Sequence, residues 1–340
     1  MGKSRGRADR KGPVSGLVVR TTDYHTAGEP FRIVTGGVAP LEGATILDKR
    51  RFALERFDDV RKLLVHEPRG HADMYGCFVT EPNDEGADIG VVFFHNAGYS
   101  TACGHGTIAL VTWALESGRL EVTGAEATVV VDVPSGRLET VASVRDGRVE
   151  RVRVTNVLSY VERQGLEAGG LAVDVAFGGA FYASVESPLP VQKESVPRLI
   201  DLGREIKRDL EAGQEFVHPL EPELRGIYGV IFFEWIDKGP PLRQRNVTVF
   251  ADGEVDRSPC GSGTSAPLAL LVADGELPRG DELAHESIVG TVFSARVVAD
   301  AEVAGRAAVI TVVEGSAHRT GEHEFMLDER DALGTGFLLR

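Results

Sequence analysis

Short stretches of alternating apolar and polar residues dominate the chain. They lie at residues 16–21, 31–34, 76–80, 90–94, 127–133, 140–144 and 149–155, and again at 172–175, 181–185, 229–234, 245–250, 289–299 and 307–313. Period-two alternation and enrichment in Val, Phe and Ile predict strands with one buried face. The Asp-Gly pairs at 146–147 and 252–253 are hairpin-turn signals, because both residue types tolerate the backbone of a tight turn. Helical periodicity is scarcer. Residues 48–66 are charged and amphipathic, and 197–212 set charges on one face and Leu and Ile on the other. Residues 104–117 are apolar almost all round, which predicts a buried helix, and 265–273 is its counterpart.

The two apolar helices begin on a repeated phrase. Cys103-Gly104-His105-Gly106-Thr107 recurs as Cys260-Gly261-Ser262-Gly263-Thr264. Over residues 103–120 and 260–277, seven of eighteen positions are identical without a gap. Strands, a Cys-Gly turn, a buried helix and further strands therefore occur twice. This implies an α+β fold of two similar lobes. Residues 17–155 read as the first lobe, carrying Cys103, and 156–317 as the second, carrying Cys260. The Gly-rich, polar segment 164–171 reads as a crossing between them, and residues 1–16 as a solvated tail without the apolar core of a secretory signal.

Composition narrows the function. A chain of 340 residues with 42% hydrophobic and 26% charged content can bury a large core, and no apolar run reaches membrane-spanning length. The net charge of −14 argues against nucleic acid as a partner. Cys77, Cys103 and Cys260 are the only cysteines, an odd and sparse set that suits free thiols in a reducing cytoplasm.

A thiol at a helix start meets the unpaired N–H groups of the first turn, which lower its pKa and can hold a carboxylate. With no C-x-x-C pair, the phrase does not suit zinc, and without a Lys it does not suit a phosphate loop. Cys77 lies in a strand pattern and reads as core. Among His25, Glu29, His71 and His95, spacing alone selects none. Pro267 is costly in a helix interior, so the second apolar helix is expected to begin near Thr264 or Ser265.

CGHGTIAL at 103–110 and DRSPCGSGTSA at 256–266 closely resemble the two signatures of the proline racemase family. DYHTAGEPFRIV at 23–34, EPRGHADMYG at 67–76, FGGAFYA at 177–183 and ESIVGTVF at 286–293 fit as well. The resemblance implies a fold similar to diaminopimelate epimerase: two pseudo-symmetric lobes, each a sheet around a central helix, with a cleft between them. It implies that the C-terminal segment, from about residue 318 to 340, returns to the first lobe. It also implies two-base proton exchange at the Cα of proline or a hydroxyproline, with Cys103 and Cys260 as acid and base and neither cofactor nor metal.

By motif position, Gly104, His105, Gly261 and Ser262 match ligands of the substrate carboxylate and amine. Asp256 matches the ammonium-binding aspartate, and Tyr75 and Phe250 the aromatic wall around the ring. The Tyr75 hydroxyl offers a contact for a hydroxylated ring. The family also contains trans-3-hydroxyproline dehydratases, which typically replace one thiol, often the second with Thr. Retention of both thiols favours a racemase or 2-epimerase. FGGAFYA and EPRGHADMYG are partly similar to the dehydratase branch, so the lyase stands as the alternative, and a non-enzymatic amino-acid binder as a third reading. The family's commonly dimeric members leave a homodimer open.

Overall fold

A computed structural model describes residues 16–278 and 280–339, so the expected tail lies outside the described residues except for Gly16. The first half runs β1 (Val18–Thr26), β2 (Glu29–Gly36), α1 (Ile46–Arg56), α2 (Asp58–Val65), β3 (Tyr75–Thr80), β4 (Ile89–His95), α3 (Gly104–Glu116), β5 (Glu126–Val133), β6 (Gly136–Arg145) and β7 (Arg148–Thr155). The second half runs β8 (Tyr160–Ala168), β9 (Leu171–Phe177), β10 (Phe181–Glu186), α4 (Val196–Gly213), β11 (Ile227–Asp237), β12 (Leu242–Phe250), β13 (Glu254–Asp256), α5 (Gly261–Ala273), β14 (Glu282–Ser287), β15 (Val292–Val303) and β16 (Arg306–Gly315). Last comes β17 (Ala317–Met326).

Strand pairing repeats between the halves. In the first, β1–β2 is antiparallel, β2–β3 parallel, β3–β4 antiparallel, β4–β5 parallel, and β5–β6 and β6–β7 antiparallel. In the second, the same senses hold along β9, β10, β11, β12, β14, β15 and β16. Each parallel pair needs a crossover long enough for a helix, and helices stand at the matching places: α1 and α2 against α4, and α3 against α5. The outer strands match too, with β17 antiparallel to β1 and β8 antiparallel to β9. Equivalent strands β7 and β16 then pair with each other, Val154 opposite Val313. This is the self-complementary contact expected across a two-fold axis.

Each half of this continuous sheet curls around its apolar helix. The α3 helix packs on β1, β2, β6, β7 and β17, and α5 on β8, β9, β10, β15 and β16. Ile108, Leu110, Val111 and Leu115 of α3 are all buried, which stabilises the first half by about 1.5–3 kcal/mol per side chain. Among the described residues, no helix is long and apolar enough to cross a membrane.

Four of the expected segments are placed differently in the structure. The helix expected over 48–66 is two helices broken at Phe57, whose ring turns inward against Phe52 and Phe78. Segment 164–171 is no crossing. It belongs to the β8–β9 hairpin, where Gly169 and Gly170 adopt the left-handed conformation of a tight turn. The strand expected over 289–299 begins only at Val292, because a turn at Gly290 precedes β15. Finally, α5 begins at Gly261, not at Thr264 or Ser265. The Cys260 carbonyl accepts both the N–H and the hydroxyl of Thr264, each at 2.7 Å, closing the first turn upstream of Pro267. Pro267 therefore lies inside a helix buried from Gly261 to Leu271, where packing outweighs a local cost of about 3 kcal/mol.

Candidate active site

The two helix starts touch. A Cβ on Gly104 would lie 2.5 Å from the Gly261 Cα, and one on Gly261 would lie 2.6 Å from the Gly104 Cα. Only glycine allows this approach, and it brings the free N–H groups of two first turns to one point. Cys103 caps α3, its sulfur accepting the Gly106 N–H at 3.2 Å. Cys260 caps α5 with φ at 64°, a backbone that non-glycine residues rarely adopt and that stores about 1–3 kcal/mol of strain. Gly106 and Gly263 hold equivalent places, for a Cβ on either would strike the cysteine sulfur of its own phrase, at 2.7 and 2.6 Å.

Both thiols line one small cavity where the two helix starts meet. Its other walls include Tyr75, Gly104, His105, Phe250, Asp256, Gly261 and Ser262. All nine residues selected from the sequence are thus brought together. His25 is not among the lining residues; its ring lies 5.3 Å from that of His318, tilted by 41°. Nor is Cys77, which is core. Nearby, Glu29 is fully buried and accepts the Arg257 N–H at 2.7 Å, while His95 lies 3.4 Å from Glu254 of the other half.

Burial governs the titration of the site. It holds the Cys103 thiol well above its usual range, and the Gly106 N–H only partly offsets this. Burial also raises Cys260, aided by the Asp256 charge and opposed by the Gly263 N–H. Burial therefore reverses the lowered thiol pKa expected from helix starts. Burial drops His105 to about 3, so its ring is neutral. Burial lifts Asp256 to about 6, against hydrogen bonds from the Ser258 hydroxyl and N–H at 2.7 and 2.8 Å. At neutral pH Asp256 is the anion of the cavity.

The two thiols have different neighbours. The ring nitrogens of His105 lie 3.5 and 3.6 Å from the Cys103 sulfur. Ser262, the counterpart of His105, cannot span that distance. Its Oγ instead lies 2.7 Å from the Tyr182 hydroxyl, which lies 3.9 Å from the Cys260 sulfur. Tyr182 and Tyr228 both line the cavity, and neither is apparent from the repeat. Tyr182 belongs to β10, where Phe181 and Ala183 point into one core cluster and Tyr182 into another. Strand alternation inside FGGAFYA is the signal that would have found it.

A sheet-wrapped pair of helices presenting two thiols to one closed cavity is the architecture of a cofactor-independent racemase or epimerase. The chain belongs to the proline racemase family, whose model matches residues 21–338. It is 45% identical over 328 residues to a 3-hydroxyproline 2-epimerase of Burkholderia multivorans, covering 94% of this chain and 98% of that one. It is 44% identical over 329 residues to a trans-3-hydroxy-L-proline dehydratase of Bacillus cereus, covering 95% and 98%. Among solved structures it resembles a hydroxyproline epimerase of Agrobacterium vitis with bound trans-4-hydroxy-L-proline. The TM-score is 0.87 at 32% identity, with 95% of this chain and 96% of that one covered.

Proposed function

We propose that the chain inverts the Cα of a hydroxyproline, or of proline, by two-thiol proton exchange without a cofactor. The observation that carries this reading is the pair Cys103 and Cys260, on equivalent helix starts and facing one cavity. One sulfur, as thiolate, takes the Cα proton. The electron pair moves toward the substrate carboxylate, and the other sulfur, as thiol, donates its proton to the opposite face of the carbon. The substrate carboxylate sits on the first-turn N–H groups of Gly104, His105, Gly261 and Ser262, where two helix dipoles stabilise the charge that develops. Asp256 holds the substrate ammonium, and Tyr75 and Phe250 enclose the ring.

Protein incubated in D2O with proline and with each hydroxyproline is expected to place deuterium on Cα of the inverted product. Cys103→Ser and Cys260→Ser each lower inversion by about 10²- to 10⁴-fold, the usual worth of a positioned acid or base. Full inversion in either variant overturns the two-thiol reading.

The dehydratase relative favours a second reading. In trans-3-hydroxy-L-proline the Cα hydrogen and the ring hydroxyl share one face, so elimination of water calls on one thiol where inversion calls on two. Elimination that survives loss of one thiol, detected as a cyclic imine by o-aminobenzaldehyde, identifies a lyase.

A further inference from the structure

The aromatic wall of the cavity carries a chain of hydroxyl groups. The Tyr75 hydroxyl donates to Ser100 Oγ, so it is not free to serve a ligand alone. The Tyr75 and Tyr228 oxygens lie 2.9 Å apart. A phenol has one proton to give. With the Tyr75 proton on Ser100, the Tyr75 oxygen accepts from Tyr228, and the Tyr228 oxygen is left to accept a hydrogen bond from the cavity. Burial holds Tyr228 well above the usual phenol range, so it stays neutral through the working pH range. Its ring is fixed by stacking on Phe250 at 5.7 Å and edge-on against Tyr182 at 5.8 Å. The wall therefore presents one oriented acceptor, held by two further hydroxyls.

We propose that Tyr228, oriented by the Tyr75–Ser100 hydroxyl pair, reads the ring hydroxyl of the substrate and makes a hydroxylated prolyl ring preferred over proline. The inference rests on the Cα proton chemistry proposed above and adds the element of specificity. A ring hydroxyl donates to the Tyr228 oxygen and completes the chain. Proline offers no such donor and leaves a polar oxygen facing its methylene groups. Phenylalanine at this position keeps the stacking on Phe250 and loses the acceptor.

The test compares Cα deuterium exchange by NMR for trans-3-hydroxy-L-proline, trans-4-hydroxy-L-proline and L-proline. The unaltered protein is expected to favour one of the hydroxylated substrates over proline by about 10- to 100-fold in kcat/KM, the range set by one buried hydrogen bond. Tyr228→Phe is expected to bring that ratio close to one, mainly by loss on the hydroxylated substrate. Tyr75→Phe and Ser100→Ala, which leave Tyr228 in place but less oriented, reduce the ratio by less, and they carry the test if Tyr228→Phe does not fold. A ratio unchanged in Tyr228→Phe, or no preference in the unaltered protein, overturns the proposal alone. Absence of exchange with all three substrates overturns the proton chemistry and the proposal with it.

Discussion

In the proposed mechanism Cys103 and Cys260 exchange the proton, yet burial holds both thiols well above their usual range. One of them must ionise in the free protein before substrate is enclosed, so kcat/KM should climb with pH across the neutral and mildly alkaline range. Asp256, lifted by burial to about 6, must also be ionised to hold an ammonium. The two requirements multiply. A plot of log kcat/KM against pH should have a slope near one above about pH 6 and steepen toward two below it. Asp256→Asn should act far more weakly and keep a single slope throughout. A profile in which that variant still steepens assigns the acidic limb to another group. The difference between His105 and Ser262 was readable in the repeat. That the Tyr182 hydroxyl lies beside Ser262 and Cys260 was not, because it comes from a strand about eighty residues away and no local pattern joins the two. Tyr182→Phe should slow iodoacetamide labelling of Cys260 at fixed pH while Cys103 labels as before. Equal labelling of Cys260 in both proteins removes Tyr182 from that role.

The apolar helices were evident from composition, since a segment apolar on every side has nowhere to go but the interior. Their starts were not. The sequence pattern places the beginning of α5 by the local cost of Pro267, whereas the contact of Gly261 with Gly104 holds the helix three residues earlier. That contact makes a sharp prediction. Gly104→Ala would set a methyl group 2.5 Å from the Gly261 Cα. The two first turns must part, with a stability cost of about 1–3 kcal/mol, measurable by denaturant titration. Displacement of the thiols by about 1 Å should cost about 10²-fold in exchange rate. Retained activity would mean that the helix starts can slide without losing register. The strand β17 shows another limit of local reading. Its residues are mostly exposed and polar, and it is a strand because β1 offers it a free edge.

The halves are joined by pairing of β7 with β16 and by the return of β17 to β1. The second half, β8 to β16, is continuous in the chain, but the first is completed only by β17. A fragment ending at residue 155 would leave the β1 edge and part of the α3 surface uncovered. Expressed alone it should lack cooperative unfolding and be cut readily by protease, and supplying residues 316–340 through a flexible linker should restore protection. A fragment that folds without them would show that β17 is an accessory. Duplication, the α+β class, the buried helices and the pairing of the two thiols all follow from order along the chain, because each depends on a local pattern: alternation, an unbroken apolar run, or a phrase met twice. The abutment of Gly104 on Gly261, the reversal of the thiol pKa, the placement of Tyr182 and Tyr228 and the seam between equivalent strands were decided only by folding. Each depends on groups far apart in sequence meeting in a dry interior, where distance and burial, which no linear pattern records, set the energy.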